Sequence, residues 1–260
     1  MRGLRICTGD PSFSVQAAIN DLLTTENPNN LHQCAVVVLP GNIVGDITIP
    51  PYVSVCGVDN QGSVIVGNVT LGPASTLANV KVQGKVTAEC HQDGAWNVNN
   101  VVIVNYDATN GVALDIVAKA GATSGVGGYV WGSVFGSFGP YGVRINSNLG
   151  TIEYLFRDTN IEMYGANAVA AMYARTGSLH TRSKNCTYQM NHSGAPNSVG
   201  IDVDGLNFRS YGDSFESNDE TKKFVKVLNG NVKLFVPQNF VAATNGQTGS
   251  GGSITVDVPS

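Results

Sequence analysis

A chain of 260 residues is long enough to bury its own core without disulfide or metal staples. Its net charge of −4, with no basic stripe along the sequence, lacks the electrostatic footprint of a nucleic-acid binder. No apolar run approaches the ~18 residues of a membrane span, and no apolar h-region of a signal peptide follows Met1.

Charged residues are only 13%, about half the usual share. Gly (31 residues) and Asn are abundant beside Val and Ile, so short strands and tight turns dominate and the chain reads as all-β. The five cysteines (Cys7, Cys34, Cys56, Cys90, Cys186) form no CxxC and read as reduced core residues, although a Cys34–Cys56 bridge stays open. No metal site or cofactor is expected.

The single helix signal covers residues 10–26. Ser12 or Ser14 serves as its cap, Val15, Ala18, Ile19 and Leu22 form one apolar face that Leu23 widens, and Asn27-Pro28 stops it. From Ala35 onward only strands follow, each three to six residues long: Ala35–Leu39, Ile47–Ile49, Val53–Gly57, Val64–Gly67, Val69–Leu71, Leu77–Val82 and Val86-Thr87. The turns between them are too short for helical crossovers. Such pieces suit a coil of stacked rungs better than a sandwich.

The second half repeats. Tyr154 to Asn160, Leu179 to Asn185 and Leu206 to Gly212 each carry an apolar residue, an Arg (Arg157, Arg182, Arg209) and a polar turn, with the arginines 25 and then 27 residues apart. A second series runs through Val143, Val169, Ile201, Val225 and Ile254. Two interleaved series at a period near 27 predict a solenoid. Roughly eight rungs at ~4.8 Å give a rod on the order of 40 Å long. This reading stacks the three arginines in one column and places Asn160 over Asn185 at a corner, where amide side chains can form a ladder. It divides the chain into an N-terminal segment with the capping helix (1–34), the rungs (35–245), and a flexible Gly-rich tract with a last strand (246–260).

Residues 12–20 (SFSVQAAIN), 36–42 (VVVLPGN), 47–50 (ITIP) and 53–57 (VSVCG) resemble the opening of pectin-lyase-like proteins. The resemblance covers about 50 residues well. It implies a right-handed parallel β-helix with a short N-terminal capping helix, a fold shared by polysaccharide lyases and hydrolases, phage tailspikes and structural proteins of large DNA viruses. The enzyme signatures are incomplete: no Asp-Asp pair and no Gly-His-Gly of the polygalacturonase kind occurs.

The leading expectation is therefore a virion structural protein, made in the host cytoplasm. It would act through contacts with other capsid or virion proteins, as a homo-oligomer with a trimer favoured, binding neither nucleic acid nor membrane. A carbohydrate-active enzyme is the alternative, with Asp202, Asp204, Asp213 and Glu216 as the carboxylates that could act as a pair or hold a weak calcium ion. A non-catalytic glycan-binding adhesin is the third. Its candidate contact residues are Tyr129 and Trp131 in the aromatic stretch 129–141, together with Arg157, Arg182 and Arg209.

Overall fold

The computed structural model describes residues 3–8, 14–122, 127–146, 153–191, 195, 197–217, 223–235 and 246–256. They form a right-handed parallel β-helix with three sides. Every strand pairing is parallel, and the strands form one sheet of 16 and one of 8. The larger sheet bends around an edge and supplies two sides.

Each rung runs through the sides in fixed order. In the first full rung these are Cys34–Val38, Gly41–Val44 and Ile47–Ile49; in the fifth they are Gly128–Trp131, Val134–Ser137 and Tyr141–Asn146. We call these the first, second and third faces. From Ala170 onward the third face of one rung runs unbroken into the first face of the next, within the long strands Ala170–Lys184, Val199–Tyr211 and Val225–Phe235.

The interior follows from strand alternation, which sends every second side chain inward. Inward columns such as Val36–Val55–Leu77–Val98–Val130–Phe156 are wholly or almost wholly buried. Each buried Val, Ile or Leu contributes about 1.5–3 kcal/mol. One end is covered by the helix Val15–Thr25, whose Val15, Ile19 and Leu22 are fully buried. Ser14 is its N-cap and accepts from the Ala17 N–H at 3.3 Å; Ser12 lies outside the described residues. Leu23 does not widen the buried face, being 43% exposed.

The corner between the first and second faces is built on left-handed backbone. Asn79, Asn100, Gly132, Asp158, Asn185 and Gly212 all have φ between 49° and 66°. Asn, Asp and Gly tolerate this conformation best. The backbone N–H of each bonds the next rung, as in Asn100 to the Trp131 carbonyl at 2.8 Å and Asp158 to that of Lys184 at 3.0 Å. Side chains add a ladder: Asn60 donates to Asn100, Asn100 to Asn79, and Asn185 to Asp158, at 2.8, 2.8 and 3.1 Å.

The strand register corrects several expectations. The ladder exists, but Asn185 stands over Asp158, while Asn160 aligns with Thr187 on the second face. The arginines do not form one column. Arg182 aligns with Arg209, but its partner in the rung before is Leu155, and Arg157 aligns with Lys184. Ile254 belongs to the first face, opposite Val232, and so leaves the series that Val225 continues on the third; Val169 leaves it too, since Val143 and Ile201 both align with Met172. The Gly-rich tract is strand, not linker: Gly246–Val256 pairs along Val225–Phe235. All five thiols are free, with Cys34 aligned to Val53 and not to Cys56.

Candidate functional site

The exposed surface of the first face carries two outward columns. One runs Asn97, Tyr129, Leu155, Arg182, Arg209, Lys233; the other runs Asn99, Trp131, Arg157, Lys184, Tyr211, Phe235. Above these rungs the same positions hold small or apolar residues, such as Ala35, Ser54 and Thr76. The lower half of the face is thus distinct in chemistry.

Contacts there are made rung to rung. The Arg157 guanidinium lies over Trp131, 4.6 Å from the ring centroid, and reaches Asp158 at 3.2 Å. Tyr211 and Phe235 stack with centroids 4.7 Å apart and planes 3° from parallel. The Lys233 ammonium sits 4.9 Å from the Phe235 ring. Arg182 pairs with Glu153 at 3.0 Å, with both side chains about half exposed. A cavity of about 310 Å³ opens here, lined by Leu155, Arg182, Ser183, Lys184 and Tyr211. All five sequence candidates for binding therefore lie on this one face. Lys184, Tyr211, Lys233 and Phe235 join them, a set the sequence does not single out.

The four candidate carboxylates do not gather on one surface. Asp202 is on the third face, in an outward column that runs Asp115, Arg144, Tyr173, Asp202, Lys226. Although it points outward it is only 2% exposed, because Arg175 (2.9 Å) and Lys226 (3.5 Å) close over it. Asp204 stands beside it, 4.0 Å from Arg175 Nε, and accepts from Asn229 at 2.6 Å. Two rungs above Asp202, Arg144 clamps Asp115 with bonds of 2.9 and 2.6 Å. The Arg175 guanidinium also covers the Tyr173 ring at 4.1 Å.

Asp213 lies inside the coil, 2% exposed, at the corner between the first and second faces. One of its carboxylate oxygens accepts from Cys186 N–H at 2.7 Å, the other from the hydroxyls of Ser210 (2.7 Å) and Ser183. Burial pushes its carboxyl up to about 6, although the three donors pull the other way. The buried Tyr188 hydroxyl nearby is raised well above its usual range, first by desolvation and then by the Asp213 charge.

Glu216 is on the second face. It aligns with Gln189, which donates to it at 2.7 Å, and Gln189 in turn aligns with Glu162. The Glu162 carboxyl is raised by partial burial and then by the Glu216 charge, and it accepts from the Asn160 amide. Beside this column Tyr106, Phe138 and Tyr164 stack at 5.4 Å intervals. Within the stretch 129–141, then, Phe135 is core, Phe138 and Tyr141 pack against other rings, and only Tyr129 and Trp131 are well exposed. Among the described residues no group of three or more metal-ligating side chains converges, and no helix is long and apolar enough to cross a membrane.

No family model matches the chain, and no curated protein is significantly similar to it. Several solved structures resemble the chain at low identity. Escherichia coli YbhC is 11% identical over 94% of this chain and 74% of that one, with a TM-score of 0.47. The tailspike gp49 of Acinetobacter baumannii bacteriophage Fri1, a capsular polysaccharide depolymerase, is 10% identical over 99% of this chain with a TM-score of 0.46. A Geobacillus virus E2 protein is 13% identical over 96%, also at 0.46. The chain spans 62% and 59% of the lengths of the two phage proteins.

Proposed function

We propose that the protein is a structural component of a virus particle, a β-helical spike or fibre subunit that works by contact and not by catalysis. The observation that carries this reading is the layout of the outward side chains. Asp202 and Asp204 are held by Arg175, Lys226 and Asn229, and Asp213 lies in the interior. The first face meanwhile presents an in-register run of aromatic and basic residues from Tyr129 to Phe235. A stiff rod with one long contact strip suits attachment and assembly. At the capped end Ile6, Leu31, Val44 and Val58 are 59–93% exposed, apolar area that a homotrimer or a neighbouring virion protein would cover.

A second reading, a polysaccharide depolymerase, has one observation in its favour. Glu162 and Glu216 stand two rungs apart on one column, about 9.6 Å by strand spacing. That strand-to-strand distance lies just above the roughly 6.5–9.5 Å between the carboxyls of inverting glycosidases.

The two readings separate on a panel of acidic and neutral polysaccharides, scored for new reducing ends and unsaturated products, with purified particles searched for the chain by mass spectrometry. The contact role requires the chain in the particle and no cleavage. Cleavage that Glu162→Gln or Glu216→Gln abolishes would overturn it in favour of the enzyme.

A further inference from the structure

We propose that the lower first face binds a linear polyanionic glycan, whose acidic groups are held by Arg182, Lys184 and Arg209 around the cavity, with Arg157 above and Lys233 below. This rests on the contact role of the first face and names the chemistry of what it contacts.

The argument begins with unbalanced charge. Among the described residues the two columns bring Arg157, Arg182, Lys184 and Arg209 together, and the carboxylates paired with them are Glu153 and Asp158. This occurs on a chain whose net charge is −4. Among the described residues neither Lys184 nor Arg209 has an ion-pair partner. Arg182 and Arg209 occupy the same position on adjacent strands, about 4.8 Å apart, where like charges disfavour pairing. The bond from Arg182 to Glu153 is between half-exposed groups, so it is weak and exchangeable. A fold that keeps such a row gains when an anion neutralises it.

Geometry then limits the anion. From Arg157 to Lys233 the cations climb three rung steps, about 14 Å, which a single phosphate or carboxylate cannot cover. A linear polymer with an acidic group on successive units can. Arginine forks suit sulfate and carboxylate alike.

The rings argue against a single-stranded nucleic acid, which needs free aromatic faces for its bases. Here Tyr211 and Phe235 cover each other's faces, and Arg157 covers Trp131. Tyr129, 44% exposed, is left as a single open ring, too few for a run of stacked bases, and the cavity opens beside the Tyr211 side chain.

The test titrates the intact chain by calorimetry at near-physiological salt with heparin, polygalacturonate, neutral dextran and single-stranded DNA. Binding of heparin, polygalacturonate or both, without dextran, is expected, and which of them binds identifies a sulfated or a carboxylated ligand. Affinity should fall at least about tenfold in the double variant Arg182→Glu/Arg209→Glu, equivalent to about 1.4 kcal/mol, and weaken steeply with salt. Lys81→Glu on the second face should leave it unchanged, with melting temperature and far-UV spectrum checking the fold of each variant. The inference falls if neither glycan binds, if Lys81→Glu costs as much as the double variant, or if DNA binds more tightly than both glycans. None of these results depends on whether the chain is found in a particle, so this inference and the virion role fail separately.

Discussion

Arg157 lies across the indole of Trp131 because the two residues hold the same position on consecutive rungs, and the parallel register carries one side chain over the other. Both are about half exposed, so the contact belongs to the weaker class of cation–π pairs. A double-mutant cycle of Trp131→Ala and Arg157→Ala, followed by urea unfolding, should give a coupling energy of about 0.5–1 kcal/mol. A coupling of zero would mean that the two side chains do not meet in solution.

Asp202 and Asp204 are two residues apart on one strand, yet their contributions should differ several-fold. Asp202 is buried between two cations, so Asp202→Ala leaves Arg175 and Lys226 facing a void and should cost about 3 kcal/mol. Asp204 is a third exposed and 4.0 Å from Arg175, so Asp204→Ala should cost less than about 1 kcal/mol. Chemical denaturation of the two variants checks the difference. Equal losses would contradict the closed arrangement around Asp202.

Asp213 gives a pH dependence whose sign follows from its environment. Its folded carboxyl sits at about 6, above the ordinary 3.8, because burial disfavours the charge. The folded state therefore holds the proton more tightly than the unfolded chain. The stability from this group is fully present well below the unfolded value, at pH ~3, and is lost as pH rises through 6. The difference amounts to about 3 kcal/mol by pH 7. Asp213→Asn removes the titration. The stability of the natural protein minus that of Asp213→Asn should fall by this amount between pH ~3 and pH ~7. A flat difference would place Asp213 in water.

Gly128 aligns with Trp96, and a methyl group there would lie 2.2–2.4 Å from the indole ring atoms. Trp96 is fully buried, so it cannot swing aside without moving its neighbours. Gly128→Ala should destabilise by about 1–3 kcal/mol as overpacking and disturb the tryptophan near-UV signal. A neutral substitution would show room beside Trp96 that the packing denies.

The coil itself is legible in the sequence because its causes are local. The helix face of Val15, Ile19 and Leu22 and the short Val- and Ile-rich strands follow from periodicity alone. The phase of the rungs is harder to read. Matching Arg157 to Arg182 gives a step of 25, whereas the structure sets 27, from Asp158 to Asn185. The step is fixed by the left-handed corner residues and the buried residues after them, Thr159 and Cys186, not by the exposed arginines. Exposed positions carry no packing constraint, so their identity is a poor guide to register. The lysines of the basic patch, Lys184 and Lys233, escape a linear reading for the same reason. The members of the patch lie about a rung apart in sequence and meet only when the coil stacks them. The Glu162–Gln189–Glu216 column is hidden likewise, and only the 27-residue spacing of its members could have marked it.

The measurement that bears most directly on the contact role is the mass of the purified protein in solution by light scattering. A spike or fibre subunit that covers Ile6, Leu31, Val44 and Val58 against its own copies should run as a trimer, at three times the 27.2 kDa chain mass. A monomer that stays at 27.2 kDa, and that recruits no virion protein when mixed with disassembled particles, would contradict it.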